Sequence, residues 1–111
     1  MDKIEQYRDY VQQFLCYYRS LRKDDPDVES QIINDKENDR YLIVNVGWRN
    51  KRRIYGCVMH LDLRDGKIWI QYNGTEIDVA ERFVALGVPR QDIVIGFLPP
   101  RMRRLSDYAI A

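Results

Sequence analysis

Cys57-Val58-Met59-His60-Leu61-Asp62-Leu63-Arg64-Asp65-Gly66-Lys67-Ile68-Trp69-Ile70 is the stretch that decides the fold. Cys57, Met59, Leu61 and Leu63 alternate with Val58, His60 and Asp62, the period of two that sends successive side chains to opposite faces of a strand. One face is then continuously apolar and packs on a core, while the other mixes in polar groups. Asp65-Gly66 stands between this strand and the next. Such a pair suits a two-residue hairpin, whose centre needs positive φ, so residues 53–63 and 67–73 are expected as antiparallel neighbours.

Working outward, residues 28–33 and 41–48 read as two earlier strands separated by polar turns. Ahead of them, Ile4, Tyr7, Val11, Phe14, Leu15, Tyr18 and Leu21 recur at spacings of three and four, the apolar stripe of a helix over 2–21. Pro26 stops that helix, because its ring removes a donor and disfavours helical geometry at Asp25. Downstream, Asn73-Gly74 ends the fourth strand, and Thr75 three residues before Asp78 resembles a capping box opening a helix to about Leu86. Gly87 and Pro89 end it, and 93–97 gives a last short apolar strand. The order α-β-β-β-β-α-β predicts an α+β protein of one domain, 1–111. Its sheet is mainly antiparallel with about five strands, an N-terminal helix, and a second helix before the last strand. The tail opens with Pro99-Pro100 and a basic run, closes on Tyr108-Ala109-Ile110-Ala111, and is expected to dock.

Composition bounds the chain further. It has 111 residues, 45% hydrophobic and 32% charged, in the range of globular proteins, and a chain of this size buries roughly two thirds of its unfolded surface in one core. Its start is charged where a secretory signal would be apolar, and no stretch approaches the ~20 apolar residues of a membrane span, so a cytoplasmic protein with no membrane contact is expected. Cys16 and Cys57 fall in apolar patterns and are expected as buried free thiols. A net charge of +1 leaves no global field to attract nucleic acid, so any such role must rest on local patches.

Val46-Gly47-Trp48, His60-Leu61-Asp62 and above all the run from Gly66 through Lys67-Ile68-Trp69-Ile70-Gln71-Tyr72-Asn73-Gly74-Thr75 to Glu76 carry a family resemblance, extended by Gly87-Val88-Pro89 through Phe97 and by the closing residues. Across its length the chain resembles the XisI family of fdxN element excision controlling factors of cyanobacteria. The resemblance implies a role in programmed excision of a DNA element during heterocyst differentiation, beside a recombinase. It also implies an XisH-like protein as partner, and brings no catalytic residues with it. One departure stands at Leu98, where the family pattern has histidine before the proline pair.

The residues themselves offer no catalytic set. His60, the single histidine, lies two positions from Asp62 on one strand face, but a metal site wants three or four ligands, so neither metal nor cofactor is expected. Cys57 and His60, an odd number of positions apart, are expected on opposite faces, which excludes a thiol dyad. Pro26-Asp27 with Asp65-Gly66-Lys67 spells a metal-dependent nuclease pattern, but its second half flanks a hairpin glycine.

Three readings follow. In the first, a non-catalytic accessory factor binds its partner through surplus aromatics, with Tyr10, Tyr17, Trp48, Tyr55 and Tyr108 as the candidate surface; Tyr and Trp are common interface anchors. In the second, two basic clusters contact DNA phosphates: Arg49, Lys51, Arg52 and Arg53 in one, Arg101, Arg103 and Arg104 in the other. The third is a small metal-dependent enzyme around His60 and Asp62. An isologous dimer would also cover exposed aromatics, making a homo-oligomer a further expectation.

Overall fold

The computed structural model describes residues 2–22 and 24–111. Helix α1 spans Lys3–Arg22, and Asp2 caps it by accepting the Glu5 N–H at 2.8 Å. Its stripe of Tyr7, Val11, Phe14, Leu15 and Tyr18 is buried, as the spacing requires, and Arg19 and Arg22 complement the helix dipole in the last turn. Four strands follow: β1 (Val28–Asp35), β2 (Arg40–Arg49), β3 (Arg52–Arg64) and β4 (Lys67–Asn73). Helix α2 (Val79–Leu86) leads into a short 3-10 turn, then β5 (Ile93–Ile95), and the four-residue helix α3 (Pro100–Arg103) begins the tail.

The five strands form one sheet in chain order, antiparallel except for β4 with β5. Both tight hairpins have left-handed central residues: Asn50 and Lys51 at φ 51° and 67°, Asp65 and Gly66 at φ 54° and 77°. That mirror-image turn matches the strands' own twist. Helices α1 and α2 cover one face. There Tyr41, Ile43, Met59, Leu61, Ile68 and Ile70 pack against Val11, Leu15 and Phe83, and Phe14 meets the Phe83 ring at 5.6 Å between centroids.

Several expectations change in detail. Helix α2 begins three residues later than a cap at Thr75 would place it: Asp78 is its N-cap and accepts the Glu81 N–H. Thr75 instead folds back on Asn73, whose side-chain oxygen takes both its N–H and its hydroxyl. The last strand ends at Ile95 rather than Phe97, because Gly96 turns the chain while its N–H donates to Ile70. Leu98, at the departure from the family pattern, packs half-buried against the core.

The largest change is a β-bulge. Ile43 faces Met59 and Val44 faces Cys57, so Val58 is an extra residue that breaks the alternation. Cys57 is therefore exposed, and it lies on the same sheet face as His60 rather than the opposite one. Cys16 is also exposed, at the margin of the helix stripe. The expected tail docking does occur: Ala109 pairs in parallel with Val94, and the Tyr108 hydroxyl donates to Glu81.

Candidate interaction surface

The sheet face away from the helices is largely uncovered. Strand alternation from the core residues Tyr41 and Ile43 puts Leu42, Val44, Val46 and Trp48 on it, and the ladder adds their neighbours. Ile33, Leu42, His60 and Tyr72 form one cross-strand row, Val46 and Tyr55 another, and Trp48 and Arg53 the last before the turn. Trp48 is 59% exposed, Tyr55 70%, Tyr72 49% and Ile33 45%. Large side chains at those exposures on one face make a patch of the kind that marks interaction sites. Arg53 lies over both Trp48 and Tyr55, at 5.3 and 5.8 Å from the ring centroids, so its charge is held against the rings.

At its other end this face is closed by the tail. Trp69, Val94 and Ala109 form a small second cluster, with Arg64 and Arg103 on Trp69 at 5.1 and 5.2 Å. Between the two ends lies Asp62, buried, its Oδ1 2.9 Å from His60 Nε2 and its Oδ2 accepting Gln71 Nε2 at 3.1 Å. Arg64 completes the set at 3.6 Å. These contacts use up the carboxylate as a cross-strand tie. Among the described residues no group of three or more His, Cys, Asp or Glu is placed to hold a metal. Partial burial raises the Cys57 thiol pKa, which disfavours its nucleophilic form.

The residues proposed from sequence separate into different places. Trp48 and Tyr55 are neighbours on the open face. Tyr10 is half-buried against the core beside Tyr7, and Tyr17 lies on the helix side beneath Arg82, whose guanidinium is 4.1 Å from the ring centroid. Tyr108 serves the tail latch; burial and its bond to Glu81 push its pKa up to about 12. Tyr72 and Ile33 belong to the patch and were missed. Gln71 is an extra residue in the β3–β4 ladder, where His60 faces Tyr72 but Leu61 faces Ile70, so simple alternation from Ile70 misplaces Tyr72.

The basic clusters do not converge. Arg52 and the Trp69 partner Asp62 are ten positions apart on β3, roughly 33 Å at about 3.3 Å per residue, which sets the hairpin tip and the tail at opposite ends of the sheet. Arg49 is paired with Asp25 at 2.8 Å and Asp27 at 3.5 Å, and Arg53 is held by its rings. Arg103 donates to the carbonyls of Leu98, Gly96 and Ile110. Lys51, Arg52, Arg101 and Arg104 remain exposed, two at each end. The two halves of the nuclease-like pattern are parted in the same way, with Asp27 beside the Trp48 end of the sheet and Asp65 in the far hairpin.

No described helix is long and apolar enough to cross a membrane. A helical layer on one side of a five-stranded, mainly antiparallel sheet, with an aromatic patch on the other, defines an α+β protein with a free sheet face. The family model described as XisI protein matches residues 1–110, and the chain belongs to the XisI family. The crystal structure of a XisI-like protein from Anabaena variabilis ATCC 29413 is similar, with 44% identity and a TM-score of 0.91 over 99% of this chain and 100% of that one. The fdxN element excision controlling factor XisI from the same organism is 34% identical, with a TM-score of 0.86 over 99% and 100%. Among curated proteins none matches.

Proposed function

We propose that this chain is a non-catalytic accessory factor in the control of DNA-element excision, and that it acts by binding an XisH-like protein on the open face of its sheet. The observation that carries the reading is the exposure of Trp48, Tyr55, Tyr72 and Ile33 together on one face of the sheet, across strands β1 to β4. Burying such aromatics is how most interface energy is gained. The paired backbone beneath them is already ordered, which confines the ordering cost of binding to the side chains. The excision-control role rests on membership of the XisI family and on likeness to the XisI named as an fdxN element excision controlling factor.

The test is co-purification of the tagged chain with an XisH-like protein from the same organism, with nuclease present, through low-salt and then high-salt washes. Stoichiometric retention through both supports an apolar protein interface. Loss of the protein, with nucleic acid retained in untreated samples and released steeply by salt, would transfer the role to Lys51, Arg52, Arg101 and Arg104.

A further inference from the structure

Arg53 is exposed and lies over Trp48 and Tyr55, the two most exposed rings of the open face. Contact with the rings engages its charge but satisfies none of its N–H donors. The one acceptor it reaches among the described residues is the Gly47 carbonyl, at a long 3.4 Å. It forms no ion pair among the described residues, whereas Arg8 pairs with Asp39, Arg49 with Asp25 and Asp27, and Arg90 with Glu81. Even Arg64, which lies over Trp69 in the same way, has Asp62 at 3.6 Å.

The acids toward this end of the sheet do not serve it. Asp25 is engaged by Arg49 and by Arg22 at 3.5 Å, and Asp27 by Arg49. Asp24, and Glu29 opposite Val46, form no ion pair among the described residues. Residues 49–53 themselves hold four cations and no acid. A cleft of about 550 Å³ adjoins Arg53, lined also by Arg49, Asn50, Arg52 and Ile54, and gives an incoming side chain room.

A protein that covers Trp48 and Tyr55 takes Arg53 out of water with them. A guanidinium buried without an acceptor is heavily penalised, and neutral acceptors leave its charge, beside Lys51 and Arg52, uncompensated. A carboxylate fits the guanidinium fork with both oxygens and cancels the charge. A surface without one is rejected by the same penalty.

We propose that the partner of the open face presents an aspartate or glutamate to Arg53, and that this ion pair inside the aromatic patch selects the partner. The proposal rests on the reading that a protein covers this face.

The experiment is calorimetric titration of the full chain and its Arg53→Gln variant with an XisH-like protein from the same organism, both nuclease-treated. Each Asp and Glu of that protein is replaced in turn by Asn or Gln. Arg53→Gln is expected to weaken binding at least about thirtyfold. One carboxylate of the partner gives a loss of similar size, and the two changes together cost no more than either alone. Arg53→Lys, which keeps a cation beside the rings but loses the fork, repeats the cycle in case glutamine disturbs the hairpin, and is expected to couple to the same carboxylate. Binding by Arg53→Gln within twofold of the parent overturns the proposal. So does a loss that adds independently to that of every partner carboxylate, which would show that Arg53 only positions the rings. An Arg53 effect seen only when nucleic acid is left in the samples overturns it too, by making phosphate the acceptor. A parent chain that binds no such partner, or binds it equally well after Trp48→Ala and Tyr55→Ala together, instead removes the open-face reading itself and this proposal with it.

Discussion

Replacing Gly47 with alanine introduces a methyl group where the structure has no room. A Cβ built there sits 2.0 Å from the carbonyl oxygen of Asp27 and 3.0 Å from its carbon, against backbone rather than a side-chain tip that could swing aside. Bringing the oxygen contact to about 3.0 Å requires β2 and the 25–27 segment to part by about 1 Å, an estimate read from those distances. The hydrogen bond from the Trp48 N–H to the Asp27 carbonyl, 3.2 Å long, is then lost. That loss costs about 1 kcal/mol, and the backbone shift adds about 1–2 kcal/mol. The expected destabilisation is about 2–3 kcal/mol, or roughly 8–12 °C in Tm at about 4 °C per kcal/mol. Gly56→Ala is the control, because no atom lies within 4 Å of its Cβ position, and alanine there leaves Tm unchanged or slightly raised. Thermal melts of the two variants beside the parent decide the matter. Equal Tm for Gly47→Ala and the parent would refute the close approach that shapes this end of the sheet.

Three further outcomes follow from the packing. Hydrogen bonds hold Asp39 (first from Arg8, then Tyr41) and Glu81 (first from Tyr108, then Arg90) below their usual pKa; for Asp92, burial opposes ionisation but Tyr7 and Lys3 outweigh it. Because these folded values lie below the unfolded ones, their stabilisation is present at neutral pH and is lost as the pH falls through them; urea midpoints are expected to decline below about pH 4, and a midpoint that rises toward pH 3 would contradict this. Phe83→Ala empties a fully buried site against Phe14 and costs about 3–5 kcal/mol in urea unfolding, whereas a loss under about 1 kcal/mol would mean the helix layer is not packed as described. Both thiols are exposed, so a thiol reagent modifies two groups per native chain, with Cys57 slowed by its raised pKa; modification only after denaturation would show that they are buried.

The fold was largely legible because its signals are local. Asp65-Gly66 specified a hairpin, Pro26 ended a helix, and the stripe from Tyr7 to Tyr18 marked a buried helix face; each depends on a few neighbouring residues. The surface was harder to read because it depends on the ladder. One extra residue at Val58 turns Cys57 onto the face of His60, and another at Gln71 misplaces Tyr72, yet neither leaves a composition signal. Tyr10 and Tyr108 look like surplus aromatics until tertiary contacts assign one to the core and the other to Glu81. Arg49 and Arg103 look like phosphate ligands until their partners, Asp25 and the tail carbonyls, are seen. The tail illustrates both sides: docking was expected from its apolar close, but pairing of Ala109 beside Val94 requires the sheet edge to be known.

The central claim, that the open sheet face is the binding surface, is tested most directly by titrating the Trp48→Ala, Tyr55→Ala double variant against an XisH-like protein in a calorimeter. Both side chains are exposed, so the variant is expected to keep the parent's stability within about 0.5 kcal/mol. Its affinity is expected to fall by at least about thirtyfold, the loss of about 2 kcal/mol or more typical of removing a central aromatic anchor. A double variant that binds as tightly as the parent would contradict the account.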